Sequence, residues 1–212
     1  MPEASLVVPV HNEAGLLRVN AHVLSEYLAR HFTSYEIILV ENGSVDDTGT
    51  VAHELKGSLS GVRVVELEEA CLGEALKAGV RSAAHDRVVY FPIDLSVDMA
   101  FIPESVRLLD EYSLVVGSKR LNGSLDHRPF HRRTLSRGYH WLVRRLLRTS
   151  FTDTTCVKAY RRSSFLELAA LVPTRSQVFE TELLVEARRR GYAVKEVPVA
   201  VDDRRPSRQP LG

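Results

Sequence analysis

SLVVPVHNEAGLLRVNAHVLSEYLARHF, residues 5–32, carries the plan of the fold in one stretch. Leu6, Val7, Val8 and Val10 follow one another without a polar alternation, and a strand with no polar face is one covered on both sides. From Gly15 onward the apolar residues recur at helical spacing, so the stretch reads as strand, turn and crossover helix. His11, Asn12 and Glu13 crowd the junction.

The same unit returns along the chain. YEIILVE (35–41) precedes DDTGTVAHELKG (46–57), VRVVEL (62–67) precedes GEALKAGVRSAAH (73–85), RVVYFPI (87–93) precedes PESVRLLDEY (103–112), and SLVVGS (113–118) follows. Strands alternating with helices predict an α/β fold, a doubly wound and mostly parallel central sheet flanked by helices, with right-handed crossovers. A chain of 212 residues with 44% hydrophobic content suits one compact domain.

After Ser118 the rhythm breaks. A loop (120–131) leads into the basic segment RRTLSRGYHWLVRRLLR (132–148), whose Leu135, Tyr139, Leu142, Val143 and Leu146 share one helical face. CVKAYRR follows, then helices in SSFLELAALV (163–172) and FETELLVEARRRG (179–191), a strand in YAVKEVPVAV (192–201) and a charged, Pro-containing tail expected to be mobile over 206–212. The formal charge is +1, yet Lys119 to Arg148 holds nine cationic side chains against Asp126, a zone suited to phosphate groups or an anionic membrane. No nucleic-acid module accompanies these arginines, so no nucleic-acid partner is expected. Cys71 and Cys156 form neither a disulfide framework nor a metal-ligand pair, which favours a reducing compartment. No run approaches the roughly 18 apolar residues of a spanning helix, so a cytoplasmic chain, peripheral at a membrane face, is expected.

In an open parallel sheet, ligands bind beyond the C-terminal ends of the strands. Two tips there carry Pro9, His11, Asn12 and Glu13, then Glu41, Asn42, Gly43, Ser44 and Asp46, although Asn12 or Asp46 could equally cap a helix. A third tip, YFPIDLSVDMAFIPE (90–104), runs from an apolar strand into Asp94 and Asp98.

Taken in order, VVPVHNE, ENGSVDDT, GEALKAG, IDLSVD, GSKR, RRTLSRG, DTTCVKAYRR and FETELLVEARRRGYAVKEVPV resemble family 2 glycosyltransferases of the GT-A fold, in particular polyprenyl-phosphate (dolichyl-phosphate) mannose and glucose synthases. The resemblance implies a catalytic domain over 1–205, with a nucleotide-binding half (1–118) and an acceptor-side half (119–205). It implies an inverting transfer of a hexose, mannose or glucose, from a GDP- or UDP-sugar to a lipid phosphate, with Mg²⁺ or Mn²⁺ as cofactor. By the same resemblance Pro9, His11, Glu13, Glu41, Asn42 and Asp94 would bind the nucleotide, Asp94 and Asp98 would hold the metal, and Lys119, Arg132 and Ser136 would contact phosphates.

One departure stands out. The family's metal motif is Asp-x-Asp, whereas this chain has Pro92-Ile93-Asp94, and proline offers no carboxylate. Fewer ligands imply a metal held largely through substrate phosphates, or a non-catalytic domain that binds nucleotide sugars. A soluble acceptor is the other alternative. An alcohol acceptor needs a base, for which Glu180 and Asp153 are the candidates; Asp153 could instead fix a turn or orient Arg161. Lys77 either faces the phosphates or packs on its helix, and Cys156 reads as a small packing residue.

Overall fold

The computed structural model describes residues 3–126, 151–176 and 178–202. Seven strands form one sheet in the order β3-β2-β1-β4-β7-β5-β8, with β1 at Glu3–Val10, β2 at Ser34–Asn42, β3 at Val62–Leu67, β4 at Arg87–Tyr90, β5 at Leu114–Ser118, β7 at Lys158–Arg161 and β8 at Val194–Pro198. Only β7 runs antiparallel to its neighbours β4 and β5. This is the single-domain, mostly parallel α/β sheet expected from the sequence. The chain moves outward from β1 to β3 and returns to place β4 on the other side of β1, which puts the reversal of strand order in the middle of the sheet.

Side-chain alternation along the strands feeds two cores. Leu6, Val8 and Val10 of β1 pack with α1 (Ala14–His31), α2 (Thr48–Ser58) and α4 (Phe101–Leu108), while Val7 faces α3 (Leu72–Ser82), α5 (Arg162–Ala169) and α6 (Phe179–Arg189). Both faces are dry, which is why these strands lack a polar alternation.

Two differences from the sequence reading bear on the site. The strand expected over 87–93 stops at Tyr90: Phe91 N–H still pairs with Val7 O, but Pro92 has no N–H to continue the ladder, and the chain turns. The strand expected over 192–201 breaks at Pro198, and Ala200–Val201 forms β9, pairing in parallel with β6 (Leu125–Asp126) as a separate two-stranded sheet. Helix α4 begins two residues before Pro103, which is tolerated in the first turn because no intrahelical acceptor waits for its N–H.

Candidate active site

Three neighbouring strand tips each use a left-handed backbone: Asn12 (φ 54°) after β1, Gly43 (φ 65°) after β2 and Leu95 (φ 54°) beyond β4. Such residues are costly outside glycine and asparagine and gather where geometry serves a ligand. Gly43 is required on a second count, since a Cβ there would lie 2.8 Å from the Ala70 nitrogen.

The first two tips are stitched together. Asn12 N–H donates to Ser44 Oγ, Val45 N–H donates to Asn12 Oδ1, and Glu13 N–H donates to Thr48 Oγ1. Asp46 accepts from Thr48 N–H in a turn just ahead of α2, whose N-cap is Asp47, and the same carboxylate reaches Ala14 N–H. His11 Nδ1 lies 2.9 Å from Asn42 O, a pure acceptor, so the ring carries its proton on Nδ1, and Nε2 accepts from Asn12 Nδ2 at 3.1 Å.

Beyond these turns lies a cleft of about 920 Å³ lined by Pro9, His11, Glu13 and Asn42 on one side and by residues 69–72 with Arg175 on the other. Four of the six residues expected at the nucleotide thus meet in one cleft. Glu41 lies beneath it, buried, its Oε1 accepting from Ser44 N–H. Asn42 Oδ1 accepts from Cys71 N–H and so links the second tip to the start of α3. Arg175 carried no sequence signal. Its loop is fastened to α3 by Lys77, whose Nζ reaches the carbonyls of Val172 and Thr174, and by the Cys71 thiol on Arg175 O. Lys77 is therefore a packing residue, buried under that loop.

At the other end of the sheet edge, Tyr90, Pro92, Ser96, Lys119, Thr155 and Cys156 surround a smaller cleft of about 170 Å³. Asp94 sits half-buried on the loop forming its wall, with Oδ1 accepting from Ser96 N–H at 2.8 Å. Asp98 is exposed, accepts from Ala100 N–H at the entry to α4, and lines a separate cleft with Val201. Among the described residues, no group of three His, Cys, Asp or Glu side chains is arranged around a cation.

Behind the smaller cleft the interior is charged. Asp153 is fully buried, with Lys119 Nζ at 2.9 Å and Arg120 at 3.3 Å from the same Oδ2, and Thr155 N–H and Oγ1 on Oδ1. Burial pushes its carboxyl up, but Lys119 and Arg120 outweigh that and hold it at about 2. Arg161 pairs instead with Asp86, which corrects the expectation that Asp153 orients it. Glu180 is buried against Lys158, which also donates to Cys156 O; burial raises the Glu180 carboxyl, and Lys158 opposes the rise. Both residues considered as bases are thus held by lysines. Burial raises the Cys156 thiol, in keeping with packing. Arg132 and Ser136, expected at the phosphates, lie outside the described residues, as do the basic segment over 132–148 and the tail.

The family model for Glycosyl transferase family 2 matches residues 5–168, more than half the chain. The chain belongs to that family. The domain is 33% identical over 205 residues to Glycosyltransferase AglD of Haloferax volcanii, covering 93% of this chain and 32% of AglD, so the chain spans about a third of that relative's length. An uncharacterized glycosyltransferase of Mycobacterium bovis is 32% identical over 182 residues, covering 85% of this chain and 80% of its own. Among solved structures, glucosyl-3-phosphoglycerate synthase from Mycobacterium tuberculosis, in complex with Mn²⁺, UDP and glucosyl-3-phosphoglycerate, superposes with a TM-score of 0.70 at 21% identity, over 99% of this chain and 73% of that one. The same synthase has been solved with Mn²⁺, UDP-glucose and phosphoglyceric acid, at a TM-score of 0.70 and 22% identity. At these identities the superpositions show that the glycosyltransferase domain shares the fold.

Proposed function

We propose that this family 2 glycosyltransferase domain moves a hexose from a nucleoside diphosphate sugar to an acceptor that carries its own negative charge, a polyprenyl phosphate. The observation that carries the reading is the state of the two acids on the acceptor side. Asp153 and Glu180 are each buried and ion-paired to a lysine, so neither is placed to take a proton from an alcohol. A phosphate monoester needs no such base, because with a second pKa of about 6 it is already ionised at neutral pH.

In this reading the nucleoside lies in the large cleft between Glu13, Asn42 and Arg175, and the diphosphate extends toward Lys119 at the tip of β5. The acceptor oxygen bonds to the anomeric carbon from the face opposite the diphosphate, the bond from that carbon to the diphosphate oxygen breaks, and the nucleoside diphosphate departs with the anomeric centre inverted. We assign Asp94, on the loop beside the smaller cleft, as a carboxylate ligand of the divalent cation. Mg²⁺ is commonly held by one or two carboxylates together with substrate phosphates, so a single acid suits a metal that arrives with the diphosphate. When bound, such a cation would neutralise charge on the leaving group.

A soluble phosphorylated acceptor is the second reading, supported by the structural neighbour solved with UDP-glucose and phosphoglyceric acid. Incubation with labelled UDP- and GDP-hexoses, Mg²⁺ or Mn²⁺, and either polyprenyl phosphate or phosphoglycerate separates the two. Label extracted into the lipid phase is the expected result, and label on phosphoglycerate alone selects the second. Nucleotide-sugar binding without turnover on either acceptor would return the domain to the non-catalytic role suggested by Pro92.

A further inference from the structure

We propose that Asp153 is a positioning residue that holds Lys119 and Arg120 together as a cationic wall behind the smaller cleft, a role that rests on the glycosyl-transfer reading above. Lys119 and Arg120 are consecutive residues leaving β5, and Asp153 leads toward β7, the strand paired antiparallel to β5. Two cations side by side repel, and a long lysine stem carries rotamer freedom that a binding wall must suppress. One carboxylate oxygen gathers both heads, at 2.9 Å and 3.3 Å, with Lys119's side chain only 6% exposed. The carboxylate is itself immobilised: Thr155 fixes Oδ1 through N–H and hydroxyl, and Glu196 accepts from the N–H groups of Thr152 and Asp153.

Two cations share one carboxylate oxygen, so neither ion pair is exclusive. The contact to Oδ2 is one of charge rather than an aligned hydrogen bond, and among the described residues Lys119 donates to Thr155 Oγ1 at 3.4 Å. An ammonium has three donors, so the lysine is fixed in place without being used up. Asp153 touches no substrate in this account; it acts through Lys119 and Arg120.

The test is a double-mutant cycle with a structural readout beside it. Asp153→Asn keeps the side-chain volume and should lower kcat about tenfold or more while KM for the nucleotide sugar moves less than about threefold. In a Lys119→Met background the same substitution should cost several-fold less, because only Arg120 is left for Asp153 to hold. Trace acetylation with acetic anhydride, read by mass spectrometry and normalised to the exposed Lys56, should label Lys119 several-fold faster in Asp153→Asn than in wild type. Additive losses in the cycle, or Lys119 labelling that does not change, would overturn the proposal. If the wild type shows no turnover with any hexose donor, the glycosyl-transfer reading fails, and the labelling still decides whether Asp153 holds the lysine. Should Asp153→Asn fail to fold, Arg120→Gln carries the test: with one competitor removed, Asp153 should grip Lys119 harder and its labelling should slow, whereas unchanged or faster labelling counts against the proposal.

Discussion

The two clefts at the sheet edge are built from different materials. The larger is walled by turns whose hydrogen bonds run between neighbouring tips: Asn12 to Ser44 and Val45, His11 to Asn42, Asn42 to Cys71. The smaller is backed by charges drawn from β5, the approach to β7, β7 itself and α6, namely Lys119, Asp153, Lys158 and Glu180. A wall of turns gains its shape from backbone geometry and neutral hydrogen bonds, each contributing about 1 kcal/mol. A wall of buried charges depends on every partner being present, because one unpaired ion inside costs several kcal/mol. The first should therefore tolerate single substitutions and the second should not.

The largest effect is expected where the clefts meet the chemistry. Asp94→Asn removes the carboxylate at the tip of β4 while its amide oxygen still accepts from Ser96 N–H, so the fold should survive with an unchanged melting temperature. Turnover in the hexose-transfer assay should fall by about a hundredfold or more, the scale of losing one preorganised electrostatic group. Loss of stability with turnover intact would make this residue part of the scaffold and erase the distinction drawn above. Lys158→Met tests the other side. It strands Glu180 in the interior and deprives Cys156 O of its donor, and breaking a buried pair in this way costs about 3–5 kcal/mol. Thermal unfolding should drop by roughly ten degrees for a chain of this size. Affinity for the nucleoside alone, which the larger cleft holds in the proposed reading, should stay within about twofold of wild type by calorimetry.

The same contrast explains what the sequence disclosed. The parallel sheet was legible because two-sided burial writes unbroken aliphatic runs, and Pro9, His11, Glu13 and Asn42 were legible because strand-turn-helix junctions keep their polar residues within a few positions of the strand end. Pro92 was seen as a lost ligand, but not as the residue that ends β4, because a strand's last ladder bond depends on what lies beside it. The ion-paired interior was out of reach: Asp153 and Glu180 look like any acids near a helix or turn, and only the fold brings Lys119, beyond β5, against Asp153 and sets Glu180 of α6 against Lys158 of β7. Arg175 was missed for the same reason, as its place at the large cleft depends on Lys77 fastening a loop nearly a hundred residues away.

The smallest effect follows from protonation, and its sign separates the two buried acids. Asp153 is held at about 2 in the fold against 3.8 for an ordinary aspartate. A lowered folded value means that the pairing stabilises the domain fully above the unfolded value and that this contribution drains away as pH falls from about 4 toward 2. A difference of this size amounts to roughly 2 kcal/mol. Glu180 runs the opposite way: burial raises it first, Lys158 only partly offsets the rise, and so it favours the fold most below the ordinary glutamate range and less as pH climbs through its folded value. Wild type alone would mix the two slopes. Urea midpoints for wild type and Asp153→Asn, compared between pH 5 and 2, isolate the first, since Glu180 and Lys158 are common to both chains. Wild type should lose about 2 kcal/mol more than the variant across that window, and parallel curves would mean that Lys119 and Arg120 do not grip the carboxylate in solution, which would reduce the charged wall to an ordinary patch of interior.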